Sequence, residues 1–170
     1  LVSFLKGNDK KKLNTKDCLA IGKNIAKLHK ATIKLKLKRT NSLSIKLLPK
    51  LLSKIDNRIN KLSKDLKLQM RNELKNLIKK WPKNLPKGII HSDLFIDNIF
   101  FFRKKFYGFI DFYFSSTDFY LYELSTCINA LCFDKRYGKY TLNRKKSSNL
   151  LKGYETIRKL KNLHLYDCLR

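Results

Sequence analysis

The sequence predicts an α+β domain, mostly helical, with one aromatic β-hairpin near its middle. Three observations carry that reading. Apolar residues recur at three- and four-residue spacing through most of the chain. Between Gly88 and Phe112 that spacing gives way to short aromatic and β-branched runs. The length of 170 residues, 43% of them hydrophobic, suffices to bury a core. With 6 Gly, 3 Pro and no fixed repeat, solenoid and collagen-like arrays are excluded.

The elements follow in order. Residues 1–5 read as a short buried strand closed by the turn signal Gly7-Asn8-Asp9. After a lysine-rich loop, Thr15 is positioned to cap a helix over 15–30 whose buried face is Cys18, Ile21, Ile25 and Leu28. Ile45, Leu48, Leu52, Ile55, Ile59 and Leu62 predict a second helix. Met70, Leu74, Leu77, Ile78 and Trp81 predict a third, stopped by Pro82, with Trp81 as its end anchor. Ile89-Ile90, Ile99 to Phe102 and Phe106 to Phe112 predict strands, the last two joined by Arg103-Lys104-Lys105. Asp118 is expected to open a helix through Phe133 that buries Leu121, Leu124, Ile128 and Leu131. A last helix from about Ser147 buries Leu150, Leu151, Tyr154 and Ile157.

Charge is the dominant compositional feature, with 39 Lys+Arg against 13 Asp+Glu and a net +26. The excess is mostly Lys, spread along the chain and accompanied by Asn, Ile, Phe and Tyr. That pattern reads as a solvated lysine surface reflecting nucleotide bias, whereas nucleic-acid recognition favours Arg forks on a clustered face. Nucleic acid is therefore not the expected partner. No membrane span is expected either, because the most apolar stretch, Gly88 to Phe114, is broken by His91, Asp93, Asp97, Arg103, Lys104 and Lys105. Cys18, Cys127, Cys132 and Cys168 form no zinc-type spacing and read as reduced thiols of a cytoplasmic protein, with Cys127 and Cys132 in the core. The chain opens within an apolar run and closes at Leu169-Arg170 with no polar tail, so it is expected to be a fragment.

One segment carries chemistry. His91 to Asn98 matches H-x-D-x-x-x-x-N, and Ile110-Asp111-Phe112 follows. Phosphoryl transfer needs a carboxylate near the acceptor hydroxyl and oxygen ligands for the Mg²⁺ that neutralises the phosphates. Asp93 supplies the first. Asn98, on the strand entering the hairpin, and Asp111, on the apolar strand leaving it, are expected side by side to supply the second. Each residue also has a structural alternative: Asp93 as a turn residue, Asn98 as a turn-ending amide and Asp111 as a cap or salt-bridge partner. His29 and His164 read as packing or capping residues.

Gly88-Ile-Ile-His-Ser-Asp-Leu-Phe-Ile-Asp-Asn-Ile-Phe-Phe, Gly108-Phe-Ile-Asp-Phe-Tyr-Phe-Ser, Asp118 through Leu124, and Cys127 through Phe133 resemble homoserine kinases of the aminoglycoside phosphotransferase-like type. Leu1 to Gly7 and Leu28-His29 resemble the hinge and first large-lobe helix of that family. The resemblance implies the C-terminal, mostly helical lobe of a protein kinase-like fold, with the N-terminal lobe absent. It implies residues 1–7 as inter-lobe hinge strand and 8–170 as C-terminal lobe. Within that lobe lie a lysine-rich helical segment at 31–87, a catalytic loop and metal-binding hairpin at 88–114, and truncated C-terminal helices at 118–170.

By the same resemblance Asp93 is the catalytic base, His91 supports the catalytic loop and Asn98 and Asp111 hold Mg²⁺. The backbone around Ser3 and Leu5 meets the adenine of ATP. The implied reaction is phosphorylation of L-homoserine by ATP, the step before threonine formation. Two departures stand out: Ile96 replaces a usual Pro, and Glu123 replaces a usual Asp, carrying the charge one methylene farther out. The small lobe's phosphate loop and strand lysine are also missing. Alternatives are a related kinase acting on a choline-like, aminoglycoside or methylthioribose hydroxyl, a basic nucleic-acid-binding module, or an inactive kinase relic. The motif names no acceptor-binding residue and no oligomeric state.

Overall fold

The computed structural model of the chain describes residues 4–59, 61–63 and 65–160. They form two compact units, one from the residues up to Arg39 together with those from Pro86 onward, the other spanning Thr40–Leu85.

Within the first unit, helix α1 spans Thr15–Ala31. Its cap is Asn14 and not Thr15, which is already helical. Asn14 Oδ1 accepts from the Asp17 amide at 2.9 Å, and the Asp17 carboxylate accepts from the Asn14 amide at 3.0 Å. This reciprocal pair satisfies two amides that a lone Thr15 hydroxyl would leave open. The expected strand at 1–5 lies partly outside the described residues, and Phe4 and Leu5 are not in a strand. Phe4 is exposed, while Leu5 rests on Gly108. At Asn8 the segment forms an isolated antiparallel bridge, exchanging both backbone hydrogen bonds with Phe101.

The second unit holds α2 (Leu48–Ile59) and α3 (Leu66–Lys80). The periodic residues Ile45 and Leu62 fall outside α2, and Trp81 ends α3 in extended backbone before Pro82. The helix α3 buries no residue, and Leu68, Leu77 and Ile78 remain exposed.

Returning to the first unit, β1 (Lys87–Ile90), β2 (Ile99–Phe102), β3 (Lys105–Phe109) and β4 (Ser116–Phe119) make two antiparallel pairs, β1 with β4 and β2 with β3. The β2–β3 turn is two residues long, Arg103 and Lys104, both at positive φ (49° and 64°), so Lys105 belongs to the strand. That geometry suits the right-handed twist of a tight hairpin.

Asp118 does not open a helix. It sits in β4 opposite Gly88, its carboxylate accepting from the Phe119 amide, and α4 begins only at Tyr120, running to Leu131. Strand pairing with β1 outranks the local capping preference of an aspartate. The face of α4 is as expected, with Leu121, Leu124, Ile128 and Leu131 buried. A further hairpin, β5 (Phe133–Arg136) with β6 (Lys139–Leu142), turns at Tyr137-Gly138 and was not legible in a segment of mixed charge.

The last helix, α5, spans Arg144–Glu155 and starts three residues earlier than its apolar pattern indicates, because Asn143 caps it. Asn143 also donates to Asp134, which accepts from the buried Lys146 ammonium at 2.7 Å. Lys146, then Asn143, hold the Asp134 carboxyl below its usual range. Leu150 and Tyr154 are buried, Leu151 is half-buried and Ile157 lies past the helix. Cys18, Cys127 and Cys132 are free and buried, and burial pushes the Cys127 thiol well up. His164 and Cys168 lie outside the described residues.

The core is α1 against α5, flanked by α4 and the inner residues Ile90, Leu94 and Ile99. Two glycines let the helix backbones meet. A Cβ on Gly22 would stand 1.9 Å from the Leu150 carbonyl oxygen, and one on Gly153 would stand 2.0 Å from that of Leu19. Backbone cannot yield as a flexible side chain can. Gly22→Ala should therefore lower stability by about 1–3 kcal/mol, although alanine is the better helix former. Thermal unfolding checks this; an unchanged or raised Tm would show that the helices can separate at no cost.

Candidate active site

The loop between β1 and β2 carries His91, Asp93 and Asn98. His91 is fully buried directly after β1, and its Nε2–H donates to the Ile110 carbonyl at 2.8 Å. Its ring packs on Phe112 at 4.6 Å between centroids. It thus fastens the loop to the segment after β3, while its Nδ1 has no partner among the described residues.

Ser92 takes a left-handed backbone, φ 72°, unusual for a residue with a side chain. Two contacts hold it there: its amide donates to Glu123 Oε1 at 2.8 Å, and its hydroxyl meets that of Ser116 at 2.8 Å. This bend turns the next residue, the half-buried Asp93, out of the strand direction.

Asn98 closes the loop from a 3₁₀ turn at Ile96–Asn98, not from a strand. Its Nδ2 donates to the Asp93 carbonyl at 2.8 Å and to Asp93 Oδ2 at 3.2 Å, tying the two ends of the motif together. With the amide nitrogen so engaged, Oδ1 is the atom available to a cation.

The sequence expectation for Asp111 needs correction. The strand β3 stops at Phe109, and Asp111 is exposed, at φ 57°, where it caps a 3₁₀ turn at Phe112–Phe114 by accepting from the Tyr113 amide. No buried carboxylate has to be compensated there. Ile110 rather than Asp111 stands opposite Asn98, and the left-handed backbone at Asp111 then turns the chain away from the ladder. The relation of the two is nevertheless close in the chain path, since Ile110 donates its amide to the Asn98 carbonyl at 3.1 Å.

Asn98 and Asp111 offer hard oxygen donors of the kind that suit Mg²⁺. No group of three His, Cys, Asp or Glu side chains among the described residues forms a metal cage. Mg²⁺ is commonly held by one or two protein ligands, with water and phosphate oxygens completing its shell. Of the two expected hinge residues, Ser3 lies outside the described residues, and Leu5 lies in the extended segment before Gly7.

Sequence reasoning missed what holds the loop. Glu123 is 1% exposed, and its second oxygen lies 2.6 Å from Nε2 of the fully buried His29 on α1. Each residue sits on the apolar face of its helix, His29 in line with Cys18, Ile21 and Ile25, Glu123 with Tyr120 and Cys127. Two ionisable groups on apolar helix faces are a readable signal, because neither is buried cheaply without a partner. The partner itself is not readable.

A family model, the phosphotransferase enzyme family, matches residues 1–159. Curated relatives include homoserine kinases from Agrobacterium fabrum, 40% identical over 97% of this chain and 50% of its own length, and from Rhizobium etli, 41% identical over 94% and 49%. The chain thus spans about half the length of the curated relatives it matches. Among solved structures, a choline kinase from Cryptosporidium parvum superposes with a TM-score of 0.63 at 15% identity, covering 92% of this chain and 53% of that one. The gentamicin–APH(2″)-IIa complex superposes at 0.61 and 17%, covering 89% and 54%. These structural likenesses establish the α+β kinase-like fold. With the family model spanning nearly the whole sequence, the chain belongs to the phosphotransferase enzyme family.

Proposed function

We propose that this chain is the larger lobe of a homoserine kinase, which transfers the γ-phosphoryl group of ATP to the hydroxyl of L-homoserine in the cytoplasm, on the route to threonine. The observation that carries the proposal is the identity to homoserine kinases, 36–41% across at least 94% of the chain. The geometry of the loop supports it. Asp93 has one carboxylate oxygen held by Asn98, which fixes the side chain and leaves the other oxygen to orient the acceptor hydroxyl and take its proton. Asn98 and Asp111 would hold Mg²⁺, which when bound neutralises phosphate charge. His91 secures the loop to Ile110, one residue before Asp111, so acid–base group and metal ligands share one rigid frame. The backbone near Ser3 and Leu5 is assigned to the adenine. The phosphate-clamping loop and lysine that the family resemblance implies are assigned to the half of the relatives that this chain does not match.

Three measurements test this. In the full-length enzyme, Asp93→Asn should lower kcat by roughly 10² or more while the Tm holds, because the amide can still accept from Asn98; retained turnover removes Asp93 from the mechanism. Asp111→Asn tolerates the left-handed backbone and so isolates the charge: it should weaken Mg²⁺-dependent nucleotide binding by about tenfold or more, and unchanged affinity by calorimetry refutes the metal role. An acceptor panel of homoserine, choline, an aminoglycoside and methylthioribose should give the highest kcat/KM with homoserine. A higher value with another acceptor overturns the substrate.

A further inference from the structure

The contact between Glu123 and the Ser92 amide is the inner end of a longer chain of buried hydrogen bonds. On the far side of His29, Nδ1 lies 2.9 Å from the hydroxyl of Tyr154 on α5. That hydroxyl accepts from the Arg158 guanidinium at 3.3 Å. Arg158 is itself held 3.7 Å over the ring of Tyr120, which in turn stacks on His29 at 4.4 Å. Tyr154 is 1% exposed and His29 fully buried, so water does not compete for these atoms.

Counting donors fixes the direction of the chain. The Ser92 amide and Arg158 are donors only, and the Glu123 carboxylate is an acceptor only. Because a carboxylate only accepts, the proton of a neutral His29 sits on the Nε2 facing Glu123, and the bare Nδ1 takes the one proton of the Tyr154 hydroxyl, whose oxygen accepts from Arg158. The Arg158 N–H that reaches Tyr154, the Tyr154 hydroxyl hydrogen and the His29 ring hydrogen then each have one acceptor. With the opposite tautomer, Nδ1–H would meet the Tyr154 hydroxyl while a bare Nε2 faced a carboxylate at 2.6 Å, two acceptors in contact.

We infer that Tyr154 and His29 are positioning residues: Tyr154, by donating to Nδ1, reinforces the His29 tautomer that donates to Glu123, and Glu123, held in this way, keeps Ser92 in its left-handed conformation and Asp93 in place. The bearing on catalysis rests on the role proposed for Asp93, whereas the coupling to Ser92 does not. Helix α5 thereby acts on the loop although it contributes no residue to it.

The test is amide exchange at Ser92, read by NMR on the 170-residue chain, in a double-mutant cycle. Tyr154→Phe should speed exchange at Ser92 about tenfold, the scale of one lost hydrogen bond, with far-UV dichroism unchanged. His29→Gln puts an amide NH₂ where Nε2–H was and needs no tautomer, so adding Y154F to H29Q should change exchange by less than about twofold. An equal effect of Y154F in both backgrounds means that the hydroxyl acts through packing and overturns the inference, as does no effect in either. The ring ¹⁵N shifts of His29 in the unmodified chain give a check that needs no variant: a protonated Nε2 supports the inference and a protonated Nδ1 overturns it. In the full-length enzyme Y154F should lower kcat about tenfold with KM for ATP unchanged, and H29Q should abolish that sensitivity. Altered Ser92 exchange with undiminished kcat overturns the positioning role. Absence of phosphoryl transfer in the unmodified enzyme refutes the proposed function and leaves the exchange cycle to decide the coupling.

Discussion

A single buried carboxylate holds this unit together. Glu123 has both oxygens in use, one on His29 and the other on the Ser92 amide, at 1% exposure. An ionised carboxylate taken out of water is costly unless it is paired and hydrogen-bonded, and removal of one partner leaves the cost without the return. Three elements are thereby made interdependent: α1 supplies the histidine, α4 the carboxylate and the β1–β2 loop the amide. The strained backbone at Ser92 persists because the surrounding structure over-determines it.

That arrangement depends in turn on how closely α1 and α5 approach. Gly22 and Gly153 remove the side chains that would hold the helices apart, and the approach brings Tyr154 to within hydrogen-bond reach of His29. Burial pushes the Tyr154 phenol up to about 12, so it remains a proton donor at physiological pH. A packing feature with no polar character, two glycines on facing helices, thus sets the geometry of a polar network.

Charge is handled in the same manner. The chain carries a net +26, yet among the described residues Lys146 is the buried lysine, and it is neutralised by Asp134. Asp17, also buried, pairs with Lys10 while capping α1. Asp17, Glu123 and Asp134 thus each stand beside a group that burial or strain leaves in need of compensation. The excess lysine lies outside these pairs, and no helix among the described residues is long and apolar enough to cross a membrane.

The sequence alone located most of the helical segments and the loop that carries the candidate site. Helical periodicity located α1, α3 and α4, because a buried stripe at 3.6-residue spacing has few other uses. The spacing of His91, Asp93 and Asn98 located the candidate site, since all three come from one continuous segment. It did not determine Asp111's surroundings, the β1–β4 pairing that displaced the cap expected at Asp118, or the β5–β6 hairpin. The first two depend on partners elsewhere in the chain, Ile110 against Asn98 and Gly88 against Asp118, and local propensity yields to such pairing. The network from Arg158 to Ser92 is the clearest case. Its five members come from four separate stretches of the chain, and none of them taken alone reveals its partner. Only folding puts a donor opposite each acceptor, and only burial makes the match matter, because in water every one of these groups would be satisfied without the others.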